Sequence, residues 1–296
     1  MGLNLTALLV MGAAQAVEGD TTPSFGTAAG SANPSDVGAV RRNPAAMLLE
    51  VDYTSQIDFA FGQGPRLTTT VRDTRTSAFG AGAMVTQHWA QRTPDPESMP
   101  GWTLPGEEIV DESRDGSYRI SFGYGFFPQS EMTAAGPVQM RRFSIGASVA
   151  YERWTGTLSG LTTGWALDLS VAGRPTQSLV LAATARDLLT PVGLRRPSYD
   201  LGLWWFATPW LNLGAEGGYD PNVGPLVTHG GADILLSNLF SIRGGYGVEG
   251  KRQFLAGGVG IAADDDRARI DYGIRWDTAG PDTGALEHSI GLYATF

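Results

Sequence analysis

The sequence predicts an all-β fold: a transmembrane antiparallel β-barrel of fourteen strands, preceded by a short helical segment. Three observations carry this. From residue 50 to the end, hydrophobicity alternates with period two. One parity is apolar, while the other is small, polar or charged with both signs, which a dry sheet-on-sheet core would not accept unpaired. The runs are about ten residues long, which suits a tilted strand crossing a bilayer. Their ends carry aromatics, as at Tyr53, Tyr118, Trp154, Trp210, Tyr219 and Trp276, where interfacial girdles belong.

Composition agrees and excludes other classes. Charged residues make up 17% of the chain, below the quarter or so usual for soluble domains. Past the first 16 residues no apolar stretch approaches the roughly 20 residues that a spanning helix needs. The net charge is −9 and Lys251 is the single lysine, so a nucleic-acid partner is not expected. There is no cysteine, which removes disulfides and thiolate metal sites and is compatible with an oxidising compartment. No cofactor is expected.

At the N-terminus, Leu3 to Met11 form an apolar core, and Ala14-Gln15-Ala16 matches a small-residue cleavage pattern. A positive leader is missing, and a short buried helix would also fit. The cleavage pattern favours an export signal over 1–16. Residues 17–49 do not alternate. They contain a capped helical turn from Ser35, then Asn43-Pro44-Ala45, where Asn43 can cap a second short helix running to Leu49.

The barrel is expected over 50–296. Val51, Tyr53, Ser55, Ile57, Phe59 and Phe61 form the outer parity of the first strand. The weak segment Arg66–Arg72 supplies the second, and with it the count becomes even, as a bacterial barrel requires. Further apolar parities run through Tyr118–Phe126, Phe143–Tyr151, Leu161–Val171, Tyr199–Trp205, Leu211–Tyr219, Phe240–Val248 and Ala268–Trp276. Connections sort into two classes. Short ones lie at Gly173–Ser178, Thr208–Trp210, Ser237–Asn238 and Ala263–Asp266. Longer ones lie at Arg153–Ser159, Asp187–Pro197, Asp220–Thr228 and Asp277–Ala285, with Glu249–Arg252 a short exception. The longest, Ala90 to Gly116, is acidic and is expected on the outer side. The last strand, Ala285 to Phe296, must close on the first, because an open edge in lipid leaves backbone groups unpaired. Its Gly291, Leu292 and final Phe296 resemble the signal read by the outer-membrane insertion machinery.

Charges on the inner parity are Arg119, Asp168, Arg186, Asp200, Glu216, Arg243, Arg269, Asp271 and Arg275. They suit either a charge-selecting constriction or a cross-lumen network that stiffens the barrel. His88, His229 and His288 show no metal spacing. His288 and Ser289 are neighbours on a strand and point to opposite faces, so they make no nucleophile–base pair. Gly245 to Gly250 match a dinucleotide-type glycine pattern but meet a hairpin instead of a helix. Asp264-Asp265-Asp266 reads as a solvated turn. No enzyme is expected.

The Gly/Ala-rich lead, the short helix and Asn43-Pro44-Ala45 before the first strand resemble the N-terminal hatch of the long-chain fatty-acid transporter superfamily, which includes related barrels of secretion and gliding systems. "SLVLAATARDLLTP" followed by "PSYDLGLWWFATPWLNLGAE" is similar to the strand–turn–strand pattern of their later halves. The resemblance implies an outer-membrane barrel of a Gram-negative envelope, with 17–49 tucked into the lumen as a hatch. It implies passive movement of hydrophobic or small solutes and a lateral opening at a kink in the third strand. That kink would fall at Gly80 and Gly82 in "FGAGAM", although glycines there also serve as small lumen residues. The chain is shorter than these transporters and lacks an apolar cluster outside the strands. The alternative is a non-transporting platform for other envelope proteins. Membrane lipid, the insertion machinery and envelope proteins are the expected partners.

Overall fold

The computed structural model describes residues 26–27, 29–62, 65–88, 113–133, 136–156, 160–189, 196–221, 224–263, 267–280 and 283–296. The expected export signal at 1–16, the acidic run of the longest loop and Asp264–Asp266 lie outside them.

Fourteen antiparallel strands close into one barrel. In chain order they begin β1 (Tyr53–Phe61), β2 (Arg66–Asp73), β3 (Phe79–His88), β4 (Ser113–Thr133) and β5 (Gly136–Gly156). Next come β6 (Gly160–Thr176), β7 (Leu179–Arg186), β8 (Ser198–Thr208), β9 (Leu211–Asp220) and β10 (Gly224–Leu235). The wall is completed by β11 (Phe240–Glu249), β12 (Arg252–Ala262), β13 (Ala268–Ala279) and β14 (Leu286–Thr295). Each strand pairs with its sequence neighbours, and β14 closes on β1 from Thr54↔Thr295 to Phe61↔His288. The Phe296 amide donates to the Tyr53 carbonyl at 2.9 Å, and the two rings meet edge-to-face at 5.7 Å. The polar strand β2 is paired along its length on both sides. Arg66, Thr68, Thr70 and Arg72 face inward and Thr69 shares the outer face with Leu67 and Val71, so the strand shows little apolar signal although it is a full member of the wall.

Alternation decides which way each residue looks. Ile57, Phe59, Ile120, Phe122, Leu169, Leu201, Ile270, Ile290 and Leu292 point outward and are 40% to 68% exposed. Apolar surface costs roughly 25 cal/mol per Å² in water, so a belt of this kind belongs in hydrocarbon. Among the described residues no helix is long and apolar enough to cross a membrane. At the inner interface of β3–β5 the rings of Phe79, Tyr124 and Phe126 form an edge-to-face ladder with 4.7 Å spacings.

Three expectations are corrected. First, β4 and β5 are 21 residues long, about twice the expected span. β3 leaves β4 at Tyr124, and β6 leaves β5 at Phe143. Beyond those points the two strands pair only with each other, from Pro128↔Arg141 to Thr133↔Gly136. They form a ribbon projecting from the barrel end at which the hatch joins β1. Second, the connection expected over Asp220–Thr228 is tight: β9 runs to Asp220 and β10 starts at Gly224, with a register shift between Gly224 and Val227. Third, β5 and β6 extend to Gly156 and Gly160, which shortens the connection expected at Arg153–Ser159.

Candidate functional site

The wall encloses a lumen, and the segment before β1 packs inside it. Within that segment α1 (Ala39–Arg42) is followed by a 3-10 turn at Ala46–Leu49. Asn43 separates them, its side-chain oxygen accepting from the Ala46 amide at 3.0 Å. The helical turn expected from Ser35 begins later. The Ser35 hydroxyl donates to Glu50 at 3.0 Å instead of capping, and Asp36 accepts the Gly38 amide at 2.9 Å ahead of α1. Burial pushes the Glu50 carboxyl above the ordinary carboxylate value, against the pull of Arg72 and Arg174.

Val40, Met47, Leu48 and Leu49 are fully buried against the wall residues Met84, Ala172, Val180 and Trp204. Each large apolar side chain so buried contributes roughly 1.5–3 kcal/mol. The wall makes room with glycine. A methyl group at Gly80 or Gly123 would strike Leu48, and one at Gly82 would strike Val40. At Gly146 it would strike the backbone of Pro44 and Ala45, at Gly202 Ser31, and at Gly231 the Thr27 carbonyl. These glycines mark where the segment runs along the inside of the barrel from β3 to β10.

Wall side chains also hold the segment's backbone. The Ser144 hydroxyl donates to the Ala45 carbonyl at 2.6 Å, and Ser170 accepts the Ala45 amide at 2.9 Å. Ser121 donates to the Val40 carbonyl. Arg141 donates to the Leu48 carbonyl at 3.0 Å and to Thr74 at 2.9 Å. Arg72 pairs with Asp52 and donates to the Pro34 carbonyl at 2.6 Å. Glu216 accepts from the Ser31 amide at 2.9 Å and the Gly30 amide at 3.3 Å, and faces Arg42 at 3.6 Å. Buried backbone groups thus find partners in the wall, as they must when water is excluded.

Asn43, Pro44 and Ala45 therefore sit at the centre of this contact, on β5 and β6. Gly80 and Gly82 lie beneath Leu48 and Val40. Gly82 pairs with both Arg72 of β2 and Ser121 of β4, whereas Gly80 pairs with Gly123 of β4 alone, and neither ladder shows a register shift. The glycines give room for close approach of Leu48 and Val40 of the segment before β1.

Arg119, Asp168, Arg186, Asp200, Glu216, Arg243, Arg269, Asp271 and Arg275 all point inward, and they are gathered into ion-paired groups. Arg119 pairs with Asp168, which also accepts from Ser148 and the Asp187 amide at 2.9 Å each. Arg186 meets Asp200 at 2.8 Å. Arg243 and Arg269 share Asp271 at 2.6 and 2.8 Å. Arg275 lies 4.4 Å over the Phe254 ring. Residues not singled out from the sequence extend the belt. His229 bridges Glu216 and Glu249 at 2.7 and 2.9 Å, Arg252 grips Asp277 with two bonds of 2.9 Å, and Arg66 faces Glu287 at 3.8 Å. Trp204, on the lumen side of an aromatic run, was another missed contact. The belt runs from β4 through β14 to β2, and its Arg243–Asp271–Arg269 group lies at the barrel end where β1 begins. Mixed signs paired at short range match the stiffening network better than a filter of one sign.

Among the described residues no group of His, Asp and Glu could hold a metal ion. Ser289 faces the lumen, whereas His288 faces outward, 2.6 Å from the Tyr272 hydroxyl. Gly250 takes a positive φ of 60° in the β11–β12 hairpin, a turn with no helix behind it.

No protein-family model and no curated protein matches the chain in sequence. Solved structures do match in fold. The toluene transporter TbuX of Ralstonia pickettii has a TM-score of 0.65 at 14% identity, over 94% of this chain and 99% of that one. A Pseudomonas aeruginosa FadL homologue has a TM-score of 0.60 at 14% identity, over 93% and 98%. The monoaromatic hydrocarbon channel CymD has a TM-score of 0.56 at 10% identity, over 92% and 95%. The chain shares the fold of the fatty-acid-transporter type of barrel, and these neighbours are transporters and channels.

Proposed function

We propose that this chain is an outer-membrane barrel for passive transport of hydrophobic or small solutes, closed by residues 17–49 acting as a hatch. The observation that carries the reading is that the described residues before β1 pack inside the barrel against its wall. That segment is held only by non-covalent contacts, so it can leave without breaking the wall. The neighbours described as transporting toluene or conducting monoaromatic hydrocarbons support small apolar solutes. The apolar outer belt and the transporter fold support an outer-membrane location.

A second reading, a sealed platform for other envelope proteins, is favoured by the ion-paired belt of the lumen. Proteoliposomes separate the two. The intact barrel should admit toluene-sized solutes slowly, and deletion of 17–49 should raise uptake at least about tenfold, since a plug held by several buried side chains dominates the barrier. If the hatchless barrel folds and stays impermeable, transport is wrong and the platform reading takes its place.

A further inference from the structure

Glu216 holds the hatch, and His229 holds Glu216. We propose that Glu216, His229 and Glu249 form a proton-sensitive clasp: the doubly protonated ring of His229 keeps the hatch seated, and loss of one ring proton releases it. This rests on the reading of 17–49 as a movable plug.

The geometry demands two donors on the ring. Nδ1 is 2.7 Å from a Glu216 oxygen and Nε2 is 2.9 Å from a Glu249 oxygen. Ionised carboxylates only accept, and a neutral imidazole donates from one nitrogen alone, so only the imidazolium satisfies both contacts. His229 and Glu216 are directly paired across β9 and β10, which fixes the spacing. The other Glu216 oxygen takes the successive amides of Gly30 and Ser31, a backbone concavity suited to an anion. All three side chains are nearly buried, so charges act there with little screening.

The surrounding charges do not substitute for the ring. From the hatch, Arg42 stands 3.6 Å from Glu216. From β12, Arg252 is 3.9 Å from Glu249 and is already engaged with Asp277 at 2.9 Å. Arg186 on β7 and Asp200 on β8 are paired with each other. Asp220 on β9 faces Asp200, and Arg275 on β13 faces Glu249. Phe254 covers the ring from one side, with centroids 5.7 Å apart. Once His229 is neutral, one carboxylate faces a bare ring nitrogen, and Glu216 is free to turn from the hatch. The proton is bound at low pH and lost as pH rises, so the hatch loosens with rising pH.

The chain has no cysteine, so Ser31→Cys places a single thiol under the clasp. Its labelling by a water-soluble maleimide, in proteoliposomes of the full chain, is read from pH 6 to pH 9. Rates are normalised to Lys251→Cys, which is exposed at a hairpin tip. The clasp requires a rise of about tenfold across that range, the scale of one lost charge-assisted hydrogen bond. In that background H229R, which always carries charge and several donors, should stay protected throughout. H229Q, with one donor, should stay labelled throughout. A flat profile in the parent, or an unchanged profile in H229Q, overturns the clasp. If H229Q does not fold, the parent profile and H229R decide. Solute uptake is measured on the same vesicles. Labelling that follows pH while uptake never appears keeps the clasp and removes the transport reading. Uptake with pH-independent labelling does the reverse.

Discussion

The lumen is filled by two different kinds of matter. At the segment before β1, Val40, Met47, Leu48 and Leu49 pack on Met84, Val180 and Trp204. In the belt, Arg119, Asp168, His229, Glu249, Arg252 and Asp277 meet in ion pairs. Removing the apolar filling exposes apolar surface and frees hydroxyls that water can satisfy. Removing one member of the belt strands a buried charge. The apolar filling is therefore the part built to separate from the wall, and the belt is part of the wall. Among the described residues Arg72, Arg141 and Arg174 of the wall also engage the segment, through the Pro34 and Leu48 carbonyls and Glu50.

The largest test of that contrast falls on the belt. Asp168→Ala leaves Arg119 with only the more distant Glu152, at 3.9 Å, in a site where all three side chains are almost wholly buried. Breaking such a pair costs about 3–5 kcal/mol. The folded band should be lost at a clearly lower temperature in heated gel samples, and circular dichroism should agree. Little change would mean that water reaches Arg119 freely, and the belt would then be as loose as the apolar filling.

A smaller effect is expected on the hatch. At Gly146 a methyl group meets the Pro44–Ala45 backbone, whereas at Gly230, which faces outward, the nearest atom is 3.8 Å away. Gly146→Ala should cost about 1–3 kcal/mol of overpacking, borne by the hatch and not by the wall. Solute uptake should rise severalfold with the barrel still folded, and Gly230→Ala should change neither. If Gly146→Ala instead unfolds the barrel, hatch and wall are one unit.

The contrast was only partly legible in the sequence. The wall could be read because each lipid-facing residue must be apolar, and Ile57, Phe59, Ile120 and Phe122 say so at a strict interval. The ribbon of β4 and β5 could not, since strands outside the bilayer have no reason to alternate. Among lumen charges, those in mid-strand showed themselves between apolar neighbours. Arg66, Glu249, Arg252, Asp277 and Glu287 lie at strand ends, beyond the lipid-facing pattern, and looked like turn residues. His229 looked isolated, because its partners come from neighbouring strands through register and not through sequence spacing. Trp204 was hidden in "LWWF", where an apolar lumen residue sits among lipid-facing ones. Its burial in the cluster that includes Ala32 of the segment before β1 is a signal that only the packed lumen reveals.

The smallest effect is expected at two cations of β13, Arg269 and Arg275. Arg269 is partly exposed and shares Asp271 with Arg243, which holds the carboxylate at 2.6 Å by itself. Arg275 stacks on Phe254. Replacing both Arg269 and Arg275 by Gln therefore leaves Asp271 paired and changes the field mainly within a Debye length of about 10 Å. In planar bilayers, the hatchless barrel should keep its single-channel conductance and its cation-to-anion preference to within about twofold, as expected when opposite charges cancel locally. A larger shift toward cations would make this group a filter acting on the solute, and the belt would then serve passage as well as the wall.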